Sequence, residues 1–265
     1  MDLGERIEHY LLTGEVPAGH RLPPAMRPVV DRRLREVLVA VVRHRAARAP
    51  RRRVRSPLDA AAVAERLRPM LTGLLPPPAA DLALQRLPGR VVIPCILGFP
   101  ALLEGLSLPE AWALANLLLD DLGAPPLADD TPVVDGLCAG GRAFIAGRAL
   151  IDDGEPDRGR DVIVHEVAHL LHSVSASALE LPGVRGAVLP VPAARHETFA
   201  WAAERLSCRL RSGRWPALSA AVHDRRADLG ALHALSLAAE VEPSSAWSVL
   251  RTFALVGALP GAPSC

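Results

Sequence analysis

Length, composition and charge exclude several classes of protein. The chain has 265 residues, of which 50% are hydrophobic, so it can bury a sizeable core and is not a disordered protein. Its formal net charge of +1 produces no overall field that would direct it to an anionic partner, and no apolar run reaches the roughly 20 residues that cross a bilayer. The cationic side chains are all arginines, which is typical of a GC-rich bacterial genome, so their number does not indicate a nucleic-acid partner.

The first 48 residues are predicted to be helical, with a break at Pro23-Pro24 and an amphipathic helix from about Pro28 to His44. Arginines accumulate from Arg27 to Arg55. We interpret this basic segment as a solvated helix followed by a linker at Arg51–Pro57, since it contains no interleaved aromatic residues that would stack on bases. Binding to an acidic partner is the alternative. The start of the chain has no apolar core typical of a signal peptide, which predicts a cytoplasmic protein.

Three elements are predicted in the middle of the chain. A short helix covers Asp59–Leu71 and is followed by the proline run at Pro76–Pro78. The apolar Val91–Ile93 segment favours a strand, and Pro109–Leu122 is predicted to be a helix with proline in its first turn. These elements precede the segment that carries the chemistry.

The most informative segment is His165-Glu166-Val167-Ala168-His169. Residues four apart share one face of a helix, so both imidazoles can reach one ion, while Glu166 lies about 100° round the helix and can address a water on that ion. Apolar residues on both sides of the motif indicate a helix packed against a core. Buried histidine and glutamate are costly unless they are satisfied, and a divalent cation would satisfy them.

Catalytic zinc takes three protein ligands and leaves one position for water. The predicted third ligand is Glu197, on a second helix that follows a proline-rich loop over Glu180–Ala194. Ala200 would let the two helices approach closely. Glu204 lies on the same face and is predicted to accept a hydrogen bond from a ligating histidine.

Two other histidines are alternatives near this site. His196 is the second candidate for the third ligand, because an irregular start of the helix would turn it toward the ion. His172 lies one turn beyond His169, about 5 Å farther along the axis, so we expect it to contact a ligand or the substrate instead.

The segment HEVAHLLH, followed by ETFAWAAERL, resembles the glutamate-type zincin metallopeptidases. It is most similar to the lethal-factor-like toxin peptidases, and the ImmA/IrrE-type peptidases have a similar order of motifs. The resemblance covers about residues 130 to 212. It implies a strand bordering the cleft at Gly140–Gly147, Zn²⁺ held by His165, His169 and Glu197, and Glu166 as the general base.

The resemblance also implies zinc-dependent hydrolysis of peptide bonds, with an endopeptidase favoured over an exopeptidase. Many of these enzymes stabilise the oxyanion with a tyrosine or histidine, whereas the only tyrosine here is Tyr10, far from the motif in sequence. Either Tyr10 folds back or another donor serves. The other candidate donors are His172, Arg195, His196, His223 and His233.

These observations predict an α+β, mostly helical protein: a zincin-like metallopeptidase domain over residues 76–265 with a small mixed sheet, after a helical N-terminal extension with a basic linker over residues 1–75. The last third is predicted to hold helices over Asp228–Glu240 and from Pro243 to about Leu259. Two other classes stay open. One is an inactive zinc-binding regulatory or interaction protein, and the other is a helical structural protein without metal.

Overall fold

The structure is a computed structural model that describes residues 2–16, 23–50, 58–152, 161–181, 186–215, 227–241 and 243–256. This part of the chain is mostly helical and contains one small mixed sheet of three strands, which confirms the coarse fold class predicted from the sequence. Among the described residues, no helix combines the length and apolar character needed to cross a membrane.

The helices, in chain order, are α1 (Leu3–Thr13), α2 (Arg27–Ala46), α3 (Ala60–Leu74), α4 (Pro77–Arg86), α5 (Phe99–Leu102), α6 (Leu108–Leu122), α7 (Ala149–Asp152), α8 (Val162–Ser173), α9 (His196–Ser212), α10 (Leu229–Val241) and α11 (Pro243–Val256). The strands are β1 (Val91–Val92), β2 (Gly136–Ala139) and β3 (Arg142–Ile145), in the order β1-β3-β2.

The predicted helices α2, α3, α6, α10 and α11 and the predicted strand β1 are confirmed, with ends that differ by a few residues. Helix α4 is not predicted, because the proline run before it indicates a break. In the structure Pro77 begins α4, since a proline in the first helical turn has no hydrogen bond to lose. The predicted linker at Arg51–Pro57 lies outside the described residues.

The strand predicted over Gly140–Gly147 is shorter than expected. Gly140 and Gly141 have φ values of 53° and 70°, and the strand itself begins at Arg142. Positive φ at both central residues is what a two-residue hairpin turn of type I′ requires, and glycine adopts it without strain. The pair therefore forms the turn between β2 and β3.

The chain divides into two compact units. The first contains Met1–Pro57, Ile93–Gly140 and Phe144–Arg148, and the second contains Leu58–Val92, Gly141–Ala143 and Ala149–Cys265. The predicted domain boundary after residue 75 stays a prediction. Helix α3, which precedes that boundary, packs on α8 and α9 in the second unit.

In the first unit, α2 packs on α1 and α6 through a buried stripe that includes Leu34 and Leu38. Two arginines of the basic segment donate hydrogen bonds to backbone carbonyl oxygens of the same unit. Arg35 donates to those of Leu103 and Leu106. Arg45 donates to that of Pro126. These two guanidinium groups therefore stabilise loops rather than stand free for an acidic partner.

The second unit is built around α8 and α9, which pack directly on each other. The residues of α8 from Val162 to Ala168 are all buried, and so are those of α9 from Thr198 to Cys208. Helices α3, α10 and α11 pack around this pair. The segment from His165 to His169 therefore lies in the interior of the unit.

Candidate metal centre

Asp161 fixes the start of α8 against α9. Its side chain is fully buried and accepts a hydrogen bond from the Val164 N–H (3.2 Å), while its own N–H donates to Glu204 Oε1 at 2.8 Å. Its carboxylate forms an ion pair with Arg211 of α9 and lies 3.7 Å from Arg66 of α3. A carboxylate at a helix N-terminus also complements the helix dipole. Three helices are therefore held in register at one residue.

Three side-chain atoms from α8 and α9 form a compact triangle. His165 Nε2 lies 3.3 Å from His169 Nε2, and Glu197 Oε2 lies 3.7 Å from the first nitrogen and 3.5 Å from the second. Ligand atoms about 2.0–2.1 Å from one zinc ion at tetrahedral angles are separated by roughly 3.3–3.4 Å. The triangle therefore fits the protein face of a tetrahedral zinc site, and the residues that could hold an ion in the described chain are these three.

The other ring nitrogen of each histidine has its own partner. His165 Nδ1 lies 3.1 Å from Glu204 Oε2, a carboxylate that is almost wholly buried, and His169 Nδ1 lies 3.0 Å from His172 Nε2. The Glu204 carboxylate can only accept, so His165 donates from Nδ1, and with His172 Nε2 as the acceptor His169 donates from Nδ1 in the same way. Both Nε2 lone pairs are then directed at the common centre, as metal ligation needs.

His172 and His196 stack on each other, with ring centroids 3.5 Å apart and an interplanar angle of 17°. Burial, assisted by the neighbouring histidines, lowers the pKa of His172 to about 3, so its ring is neutral and its Nε2 can accept from His169. His196 Nε2 donates to the Val191 carbonyl at 2.8 Å. His196, the second candidate ligand, therefore bonds the backbone of the preceding loop, and His172 lies within hydrogen-bonding distance of His169.

Glu166 is buried beside the two histidines but is not part of the triangle. Burial raises the pKa of its carboxyl, and His165 and His169 only partly oppose this shift. A carboxylate with a raised pKa is a stronger base than an ordinary one. Glu166 is therefore suited to accept a proton from a neighbouring water.

The centre favours positive charge. Burial opposes protonation of His165, yet Glu197 and Glu204 together raise its pKa to about 10. Burial likewise opposes ionisation of Glu197, but hydrogen bonds from His165 and His169 hold the pKa of its carboxyl well below the usual range. A divalent cation at the centre would satisfy the same carboxylates without a proton. The Trp201 ring, edge-on to His165 with centroids 4.8 Å apart, shields this side from water.

The side chains predicted as candidate oxyanion donors lie in different parts of the structure. The Tyr10 hydroxyl is buried in the first unit and donates to the Leu108 carbonyl at 2.8 Å. Arg195 donates to carbonyl oxygens at the end of α11, and His233 is exposed on α10. His223 lies outside the described residues.

Sequence reasoning misses the role of Asp161 and its partner Arg211. An aspartate directly before an apolar helical run is an N-cap signal, so the start of α8 was recoverable from the sequence. The pairing with Arg211 carries no local signal, because the two residues lie on different helices.

The chain matches no protein-family model, no curated protein and no solved structure.

Proposed function

We propose that this chain is a zinc-dependent peptidase of the glutamate-type zincin class, with His165, His169 and Glu197 holding the ion and Glu166 as the general base. The observation that carries the proposal is the triangle of three ligand atoms, whose edges of 3.3 to 3.7 Å fit tetrahedral zinc. The hydrogen bonds at both Nδ1 atoms support it, because they present the lone pairs that a metal needs. The motif resemblance points to the same chemistry.

When bound, the ion would supply Lewis acidity that polarises a substrate carbonyl and acidifies a water. Glu166 accepts the proton of the attacking water and returns it to the leaving amine. Its raised pKa suits both transfers, because such a carboxylate takes up a proton more readily than an ordinary one and can then give it to the leaving amine. Glu204 and His172 keep the two ligand rings oriented throughout.

Zinc stoichiometry tests the metal site directly. We expect about one zinc per chain in purified protein and loss of the metal in His169→Ala and Glu197→Ala, because each removes one of only three protein ligands. His233→Ala is the matched control, since that histidine is exposed on a neighbouring helix. Elemental analysis of the four proteins gives the answer. Full zinc content in the Glu197→Ala protein would remove Glu197 from the ligand set.

Glu166→Gln separates catalysis from metal binding. We expect this variant to retain zinc and to lose hydrolysis by about 10²–10⁴-fold, because glutamine keeps the shape of the side chain but cannot take a proton. Cleavage of a fluorogenic peptide library by the wild type and the variant, with zinc content measured on the same samples, checks this. Equal cleavage by both proteins would overturn the assignment of the general base.

One observation favours a second function, that of an inactive zinc-binding regulatory or interaction protein. The only tyrosine is buried and donates its hydroxyl to a backbone carbonyl, so it has a structural partner instead of an oxyanion to stabilise. In this case the wild type would bind zinc and cleave none of the library peptides, while Glu166→Gln would change nothing.

A further inference from the structure

A groove in the first unit lies beside α1 and α2, on residues that the metal centre does not use. Its volume is about 550 Å³, which is within the range typical of small-molecule sites. The apolar part of its lining includes Leu3, Met26 and Val29, three exposed side chains. Exposed apolar side chains that converge on one concavity indicate a ligand with apolar surface.

One charged side chain of this groove is buried. Arg6 lines the groove with an exposed fraction of only 6%, and its Nη1 has no hydrogen-bond acceptor among the described residues. A buried guanidinium nitrogen without an acceptor is costly, because its N–H groups lose water and gain no other hydrogen bond. A carboxylate brought by a ligand would satisfy it, and in bidentate form would do so with good geometry.

The charges around Arg6 also favour an anion. Arg32 and Arg33 line the same groove, and the Glu36 carboxylate, the acidic group of the lining, is paired with Arg33 Nη1 at 3.0 Å. The groove on the other flank of α2 differs, because its Arg35 already donates to the Leu103 and Leu106 carbonyl oxygens. Of these two grooves beside α2, the one lined by Arg6 therefore contains a buried guanidinium nitrogen that still needs an acceptor among the described residues.

We propose that this groove is a binding site for an amphiphilic carboxylate, whose head group pairs with Arg6 and whose apolar chain packs on Leu3, Met26 and Val29. The volume of the groove and its single buried guanidinium suit one head group on one chain. The proposal is independent of the metal centre, since its residues lie on other helices.

Calorimetric titration of the full chain with decanoate, below its micelle concentration, tests the proposal. Acetate controls for the charge without the chain, and decyltrimethylammonium controls for the chain with the opposite charge. We expect saturable binding of decanoate near one per chain and at least about tenfold weaker binding of both controls, because head group and chain each contribute. Equal binding of the cation, or no saturable binding of decanoate, would overturn the proposal.

Variants locate the site. Arg6→Gln is expected to weaken decanoate binding by about tenfold or more, and Val29→Glu to do the same by placing a negative charge on an exposed wall where folding is not at risk. Arg43→Gln is the control, because this arginine is exposed on the same helix but lies outside the groove. Unchanged affinity in Val29→Glu, or an equal loss in Arg43→Gln, would place the binding elsewhere.

Discussion

Glu204 connects two parts of the metal centre through its two carboxylate oxygens. Oε2 lies 3.1 Å from His165 Nδ1, and Oε1 accepts from the Asp161 N–H at the start of α8. The residue is 1% exposed, so water cannot replace either hydrogen bond. One residue therefore fixes both the orientation of a ligand ring and the position of the helix that carries it.

Replacement of Glu204 by glutamine tests this double role. The amide has one acceptor oxygen where the carboxylate has two, so one of the two hydrogen bonds is lost. We expect zinc affinity to fall by about 10–100-fold, the usual effect of removing a partner behind a ligating histidine. Competition with a chromophoric chelator measures it, with the exposed Glu240→Gln as the control. An affinity equal to that of the wild type would show that the carboxylate does not support the ligand.

Tyr10 makes the first unit sensitive to alkaline pH. Burial raises the pKa of its phenol above the ordinary value of about 10, so the folded chain holds this proton more tightly than the unfolded chain does. The contribution of this proton to the free energy of unfolding is fully present below about pH 10 and is lost as the pH rises above that value. We expect the free energy of unfolding to decrease above about pH 10 in the wild type.

Tyr10→Phe should make that decrease smaller, and the remainder is expected from the Cys208 thiol, whose pKa burial also raises. It should also cost about 1–2 kcal/mol below about pH 10, because the Leu108 carbonyl loses its buried donor. Urea unfolding at about pH 8 and pH 10.5, monitored by circular dichroism, separates the two effects. If the wild type and the variant lost stability in parallel, the alkaline sensitivity would belong to other groups.

At the scale of elements, the contact of α3 with α11 depends on the absence of a side chain. A Cβ built on Gly73 of α3 would lie 2.1 Å from Cγ of Trp247, which is buried on α11. Alanine favours a helix over glycine by about 1 kcal/mol, but forcing atoms into a packed contact costs about 1–3 kcal/mol or more. The steric cost outweighs the gain in helix propensity.

We therefore expect Gly73→Ala to lower the free energy of unfolding by up to about 2 kcal/mol, the steric cost less the gain in helix propensity. Gly89→Ala is the control, because a Cβ there would meet nothing within 4 Å. Pairing Gly73→Ala with Trp247→Leu should recover part of the loss if the tryptophan causes it. Thermal denaturation of the four proteins provides the comparison, and a stabilised Gly73→Ala protein would mean that α11 moves away freely.

At the scale of the whole molecule, the proposed zinc ligands all lie in the second unit. A ligand that binds only the folded state stabilises it by RT ln(1 + [L]/Kd), about 4 kcal/mol at a thousandfold excess over Kd. Chelation should therefore lower the stability of the unit that carries the ligands. The first unit provides an internal reference within the same chain.

Hydrogen exchange with mass spectrometry measures this. On removal of zinc we expect faster exchange in peptides from α8 and α9, while peptides from α2 keep their protection. Apo protein reloaded with zinc should return to the original pattern, which controls for damage by the chelator. An increase of the same size in α2 would mean that zinc stabilises the chain as one cooperative unit.

Much of this protein follows from its sequence. Helices α2 and α6 are predicted by local pattern, since apolar spacing and N-terminal prolines act within a few residues. The spacing of His165 and His169 likewise places both imidazoles on one face of α8, because helical geometry alone determines it. The missed helix α4 shows the limit of such signals, as proline both ends one helix and begins another.

Tertiary structure decides the rest. Local spacing offers both Glu197 and His196 as the third metal ligand. The packing of α9 on α8 decides between them: Glu197 Oε2 lies 3.5 Å from His169 Nε2, whereas His196 donates to the Val191 carbonyl. Tyr10 is likewise a candidate donor in the sequence, and only the fold engages its hydroxyl with Leu108. The physical reason is range: helix propensity and caps act over a few residues, whereas the pairing of groups far apart in the chain depends on how whole helices pack.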